Sequence, residues 1–284
     1  MRIANVRGRA SLVVETAQGG GFAVDIERAT DGAYGSDPMG VFARWDELRT
    51  SVRSFTADTA ASFTNRDLGA PSPRPAQVFG IGLNYREHAR ETGAQIPDTP
   101  LTFTKFPSSI NAPFGDVPIT VATADWEAEL VVVIGSGGRD IPESLAWDRV
   151  AGVCVGQDIS DRMLQRATQP PQFSLGKSRR GYAPFGPWVI DTASLPNRDA
   201  LHLRCFVDDE EVQSSSTSDM IFTVPRIVAY LSTIVELLPG DAIFTGTPSG
   251  VGTARTPQRY LAPDNVLTTT IDGVGTIVNR CTER

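Results

Sequence analysis

A chain of 284 residues, 40% hydrophobic and 21% charged, is long enough for one or two domains around a sizeable core. Its net charge of −7, with no basic cluster beyond "KSRR" at 177–180, argues against nucleic acid as a main partner. No apolar run approaches the roughly 20 residues that span a bilayer, and the opening "MRIANVRGRASLVVETAQ" carries arginines without an apolar signal stretch, so neither a membrane span nor secretion is expected. Cys154, Cys205 and Cys281 are odd in number and widely spaced, which predicts buried free thiols in a reducing, cytoplasmic setting. With only His88 and His202 in the chain, a histidine-rich metal site is excluded within one copy.

The first strand-like runs are "RASLVVET" and "GGGFAVDI", separated by glycine-rich turns. "VFARWDELRTSVRSF" predicts a helix. "LGAPSPRPAQVFGIG", with Pro71, Pro73 and Pro75, reads as an extended linker, which sets a small N-terminal α/β subdomain (1–70) apart from a main domain (71–284). There follow a strand "QVFGIGL", a polar helix-forming segment "NYREHARETGA" with a glycine stop, and strands in "LTFTKFPSSI", "WEAELVVVIG" and "VAGVCVGQDIS". "SSSTS" at 214–218 predicts a loop. "VPRIVAYLSTIVELLPGD" has helical spacing up to Pro239–Gly240, and the late strands are "AIFTGTPSG", "LTTTIDG" and "GTIVNRC". Strands predominate and no βαβα series is visible, so the expected class is α+β, mostly β.

Familiar phosphate and zinc motifs fail on their missing residues. "GIG" at 80–82 lacks the third glycine of a dinucleotide turn, "GKS" at 176–178 has Pro171 where a phosphate loop needs glycine, and "HARE" lacks a second histidine. The pattern that carries chemistry is "ADWEAELVVVIG" at 124–135. Asp125, Glu127 and Glu129 alternate, so they share one face of a strand, about 7 Å apart at i and i+2. Alternating acids usually mark a solvated edge. Here the strand turns uniformly apolar at once, as interior strands do, and Asp158 ends a second core-like strand. Partly buried like charges raise one another's pKa, a conflict that a divalent cation removes. Oxygen ligands favour Mg²⁺, Mn²⁺ or Ca²⁺ over Zn²⁺.

The combined pattern "GLNYREHARE", "DWEAEL", "GQDISDRMLQ", "GKS…PFGPWV" and "PGDAIFTGTPSGVG" resembles the fumarylacetoacetate hydrolase superfamily over about residues 75–284, in its acylpyruvate hydrolase and oxaloacetate decarboxylase-like branch. The resemblance implies a mixed β-roll of several sheets and a homodimer. It assigns Glu127, Glu129 and Asp158 to the metal and gives Asp125 no role. His88 and Glu91 match the His-x-x-Glu pair, neighbours at i and i+3 on a helical turn, where the acid can orient the imidazole that takes a proton from water. Lys177 matches the active-site lysine, and Lys105, Gln157 and Thr247 match positions near the substrate. Gln157 replaces the commoner asparagine, and Arg179 and Arg180 replace an aromatic and an acid, which bears on the substrate.

The implied activity is metal-dependent hydrolysis of a carbon–carbon bond in a β-diketo acid such as acetylpyruvate or fumarylpyruvate. Segment 86–97 would serve as a lid. Decarboxylation of oxaloacetate, or isomerisation or hydration of an unsaturated 2-oxo acid, are the alternatives; a metal-binding module without catalysis is a third class, disfavoured by the intact His88, Glu91 and Lys177.

Overall fold

The computed structural model describes residues 1–52 and 59–283. The strand Ala128–Ile134 is the organising element. Its alternate side chains enter two different cores: Leu130, Val132 and Ile134 pack on one side, Val131 and Val133 on the other. A strand buried on both faces has no position for a polar alternation, which is why "LVVVI" is uninterrupted. Val150–Gln157 flanks it antiparallel along its whole length, and Ala242–Phe244 flanks the other side.

These strands belong to a mixed sheet of twelve strands among the described residues. From Ala242–Phe244 the sheet continues in parallel to Val78–Gly82 and then antiparallel to Leu101–Thr104. In the other direction Ala183–Ile190 pairs with Arg2–Val6, so hydrogen bonding runs into the N-terminal strands Arg9–Ala17, Gly20–Asp25 and Ala61–Thr64. A second sheet of five strands contains His202–Val207, Glu210–Ser216, Val266–Ile271, Gly275–Thr282 and Val117–Pro118. Leu203, Cys205, Ile271 and Ile277 from this sheet join Leu130, Val132 and Ile134 in the larger core. The class is α+β and mostly β, as the residue pattern predicts, and all three cysteines are buried and free.

Three local expectations are corrected. The helix expected to run to Pro239–Gly240 spans only Val224–Ser232, buried through Val224, Ile227, Val228 and Leu231. The next residues, Thr233, Ile234 and Val235, are β-branched and poor helix formers, and Leu237 instead bridges to Gly138. Ser214–Ser216 is not a loop but the end of strand Glu210–Ser216, in register with His202–Arg204. This is an edge strand, where short polar side chains are tolerated. The helix expected within 41–55 is a 3₁₀ segment Pro38–Arg44 followed by helix Trp45–Ser51, and residues 53–55 lie outside the described residues.

Candidate active site

The alternation of acids does not run along one continuous strand. Ala124–Asp125 is a short strand paired with Ser160–Asp161, the ladder breaks at Trp126–Glu127, and pairing resumes at Ala128. The break separates the acids by task. Asp125 Oδ1 accepts from the backbone N–H of Trp126 (2.9 Å) and Gly252 (2.7 Å). Its Oδ2 accepts from Thr253 N (3.0 Å) and Arg162 Nε (2.7 Å). Both oxygens are satisfied, and the turn at 252–253 is tied to the sheet.

Glu127, Glu129 and Asp158 are buried, with ligand oxygens all within 4.8 Å of one another. The Glu127 carbonyl accepts from Asp158 N at 2.9 Å, which brings the two strand ends together. Glu127 Oε1 accepts from Arg162 Nη1 at 2.6 Å, and its Oε2 from Lys177 Nζ at 2.5 Å. Burial opposes the Glu127 charge, but Lys177 and Arg162 outweigh it and lower its pKa to about 2. Glu129 has the opposite fate. Burial, then the Asp158 and Glu127 charges, push its carboxyl well above the usual carboxylate range, against the Lys177 charge and one backbone donor, Gly246 N at 2.7 Å. A side chain on Gly246 would meet Asn84 Cβ at 2.6 Å, and its φ is +101°, so glycine is required for that N–H to reach the carboxylate.

Two lysines share the buried cluster. Lys177 Nζ donates to Glu127 and, at 2.8 Å, to Asp158 Oδ2; burial disfavours its ammonium, yet Asp158 and Glu127 hold its pKa above the ordinary value. Lys105 Nζ reaches Asp158 Oδ1 at 2.5 Å and the Lys177 carbonyl; burial, and then Lys177, outweigh Asp158 and lower its pKa. The donor set fits a hard divalent cation: three converging carboxylates, all oxygen, one of them driven toward protonation by burial and by its neighbours.

Helix Arg86–Glu91 brings in the histidine. His88 Nδ1 lies 2.7 Å from Glu91 Oε1, and Glu91 Oε2 accepts from Gly250 N at 2.9 Å. In the tautomer whose Nδ1–H donates to the Glu91 carboxylate, Nε2 is the nitrogen free to accept a proton. Asn84 fixes the approach to the helix: its side chain accepts from Phe222 N at 2.7 Å and donates to Phe222 O and Thr245 O.

His88, Glu127, Lys177 and Thr247 line one cavity of about 320 Å³, together with Arg162, Gln165 and Phe103. Glu129, Asp158, Lys105 and Gln157 are not among its lining residues. Gln157 spends its amide on Glu127 N (2.9 Å), Thr269 Oγ1 (2.7 Å) and Cys205 Sγ (3.3 Å), so its contacts position the acid strand. The Thr247 hydroxyl donates to Ala128 O at 2.9 Å and accepts from Gln213 at 2.8 Å. Arg179 pairs with Asp161 at 2.7 Å, and with Arg180 it lines a separate groove.

Arg162 and Gln165 are the residues that sequence reasoning passed over. Arg162 ties Asp125 to Glu127, donates to Gln165 Oε1 at 3.1 Å, and keeps a buried Nη2 with no partner among the described residues. The available signal was position: both sit just after Asp158 in "GQDISDRMLQ", at i and i+3 of one helical turn, with Asp161 as its N-cap.

Comparison with known proteins agrees with this architecture. A structure from Mycobacterium smegmatis with a provisional HpcE assignment is 47% identical, with a TM-score of 0.90 over 100% of this chain and 99% of that one. The mitochondrial oxaloacetate tautomerase FAHD2A of Bos taurus is 37% identical over 213 residues, 74% of this chain and 68% of that protein. Maleylpyruvate hydrolase from Sphingobium sp. SYK-6, crystallised with manganese(II) and pyruvate, shares the fold at 23% identity and a TM-score of 0.80, over 100% of this chain and 99% of that one. Residues 77–282 match the family described as fumarylacetoacetate (FAA) hydrolase, C-terminal, and the chain belongs to that family.

Proposed function

We propose that the protein is a divalent-metal-dependent hydrolase that cleaves a carbon–carbon bond in an acylpyruvate. The observation that carries this reading is the Glu91-oriented His88 opening onto the same cavity as Glu127, Arg162 and Lys177. Glu127, Glu129 and Asp158 would hold Mg²⁺ or Mn²⁺, which supplies Lewis-acid polarisation to the adjacent oxygens of a 2-oxo acid. The manganese-bound maleylpyruvate hydrolase of the same fold supports that choice of ion.

His88 Nε2 takes a proton from water, whose oxygen attacks the 4-carbonyl carbon of the 2,4-dioxo acid. Glu91 stabilises the resulting imidazolium. Lys177 uses two of its three N–H bonds on Glu127 and Asp158, leaving one for the developing oxyanion. Arg162, which lines the same cavity and keeps a buried Nη2 without a partner among the described residues, would be a second donor. Donors of this kind contribute about 3–4 kcal/mol each to the transition state. The bond between C3 and C4 then breaks, the acyl half leaves as a carboxylic acid, and C3 of the pyruvate half takes up the proton from His88.

The identity to an oxaloacetate tautomerase favours a second reading, in which His88 moves a proton between carbon and oxygen without water attack. Side-by-side assays of acetylpyruvate, fumarylpyruvate and oxaloacetate with and without Mg²⁺ separate the two. Pyruvate released from the diketo acids, abolished by EDTA, is the expected result. Turnover that EDTA leaves intact removes the metal from the mechanism, and enol–keto exchange of oxaloacetate without cleavage of any diketo acid replaces hydrolysis by tautomerisation.

A further inference from the structure

The catalytic cavity does not end beside His88. A second cavity of about 450 Å³ is lined by Glu91, Thr92, Arg166, Thr253, Arg255 and Thr256, among others. Thr92, Arg166 and Thr253 line both spaces, so they meet there. The charges around the junction are unequally committed. Glu91 is held by His88 and by Gly250 N. Arg255 donates to Glu210 at 2.7 Å and lies over Trp126, so its charge is spent away from the opening. Arg166 is exposed and has no ion-pair partner among the described residues. Its backbone is fixed as the C-cap of the turn that carries Arg162 and Gln165. The first cavity, which both Glu127 and Arg166 line, is also walled by Phe103, Pro171 and Phe173, which suits a short carbon chain.

We propose that Arg166 is a specificity-determining residue that receives a second carboxylate at the far end of the acyl group, so that the preferred substrates are dicarboxylic 2,4-dioxo acids. The inference rests on the acylpyruvate reading for where the near end sits. A methyl-terminated acyl group leaves the junction to water; a longer acyl group ending in a carboxylate extends toward Arg166 and meets a planar guanidinium suited to bidentate pairing. Because the residue is exposed, the contribution is modest and screened by salt.

The test compares wild type with Arg166→Gln in two assays. In turnover, the ratio of kcat/KM for fumarylpyruvate over acetylpyruvate is expected to fall about two- to fivefold in the variant, through KM, and to fall less at high salt. In calorimetric binding with Mg²⁺ present, wild type is expected to prefer 2-oxoadipate over 2-oxohexanoate, a pair matched in length and differing in the terminal carboxylate, and the variant to lose that preference. Equal binding of the pair by wild type, or a preference that survives the substitution, overturns the inference even if hydrolysis is observed. If neither diketo acid is cleaved but the binding preference is present and Arg166-dependent, the hydrolase reading fails and the subsite stands. Partial recovery of the preference by Arg166→Lys is the further result expected of a charge contact.

Discussion

Asp125 and Glu129 stand four residues apart in one segment, both buried, yet the two ends of that segment are built on opposite principles. Asp125 is saturated by three backbone N–H groups and the Arg162 guanidinium, so its charge is consumed by the fold. Glu129 has one backbone donor, and burial with two facing carboxylates outweighs the Lys177 ammonium, so its charge is disfavoured. Polar groups buried with all partners present rigidify a structure; groups buried short of partners mark where something else is to bind. Arg162 joins the two, with Nε on Asp125 and Nη1 on Glu127.

The contrast can be broken from either side. His88→Ala is expected to lower kcat by about 10²–10⁴ while Mg²⁺ still binds, since it removes the base and leaves the carboxylates; an unaffected rate would end the assignment of His88. Asp125→Ala should act on the fold, costing about 3–5 kcal/mol in urea denaturation, because it removes one of the two carboxylates that hold the buried Arg162 cation and leaves the Trp126, Gly252 and Thr253 N–H groups without their acceptor. A variant of wild-type stability would mean that Asp125 is not the anchor described. Glu127→Gln should weaken Mg²⁺ binding by about 10–100-fold in calorimetry, and an unchanged titration would remove it from the ligand set. The smallest effect is expected from Ile134→Val at the apolar end of the same strand, about 0.5–1.5 kcal/mol of stability with Mg²⁺ affinity retained. Loss of metal affinity there would show that packing and site are coupled along the strand.

Much of this was legible because it is local. The apolar run after Glu129 marked an interior strand, and the i, i+3 spacing of His88 and Glu91 placed them within reach on a helical turn, where they form a 2.7 Å contact. Other features depended on neighbours. The helix from Val224 stops at Ser232 because β-branched residues follow and Leu237 finds a bridge partner at Gly138. Gln157 reads as a pocket residue until its amide is seen on Glu127 N and Thr269.

By itself the sequence determined the strand-rich class and the residue types able to bind a hard cation, because periodicity and carboxylate chemistry belong to the chain. The resemblance set Asp125 apart without a role; only the tertiary structure chose the fold as its task and gave Glu129 a different partner. That choice is made by donors more than a hundred residues away, Gly252 and Thr253 for Asp125 and Gly246 for Glu129, and no spacing within the segment encodes their arrival.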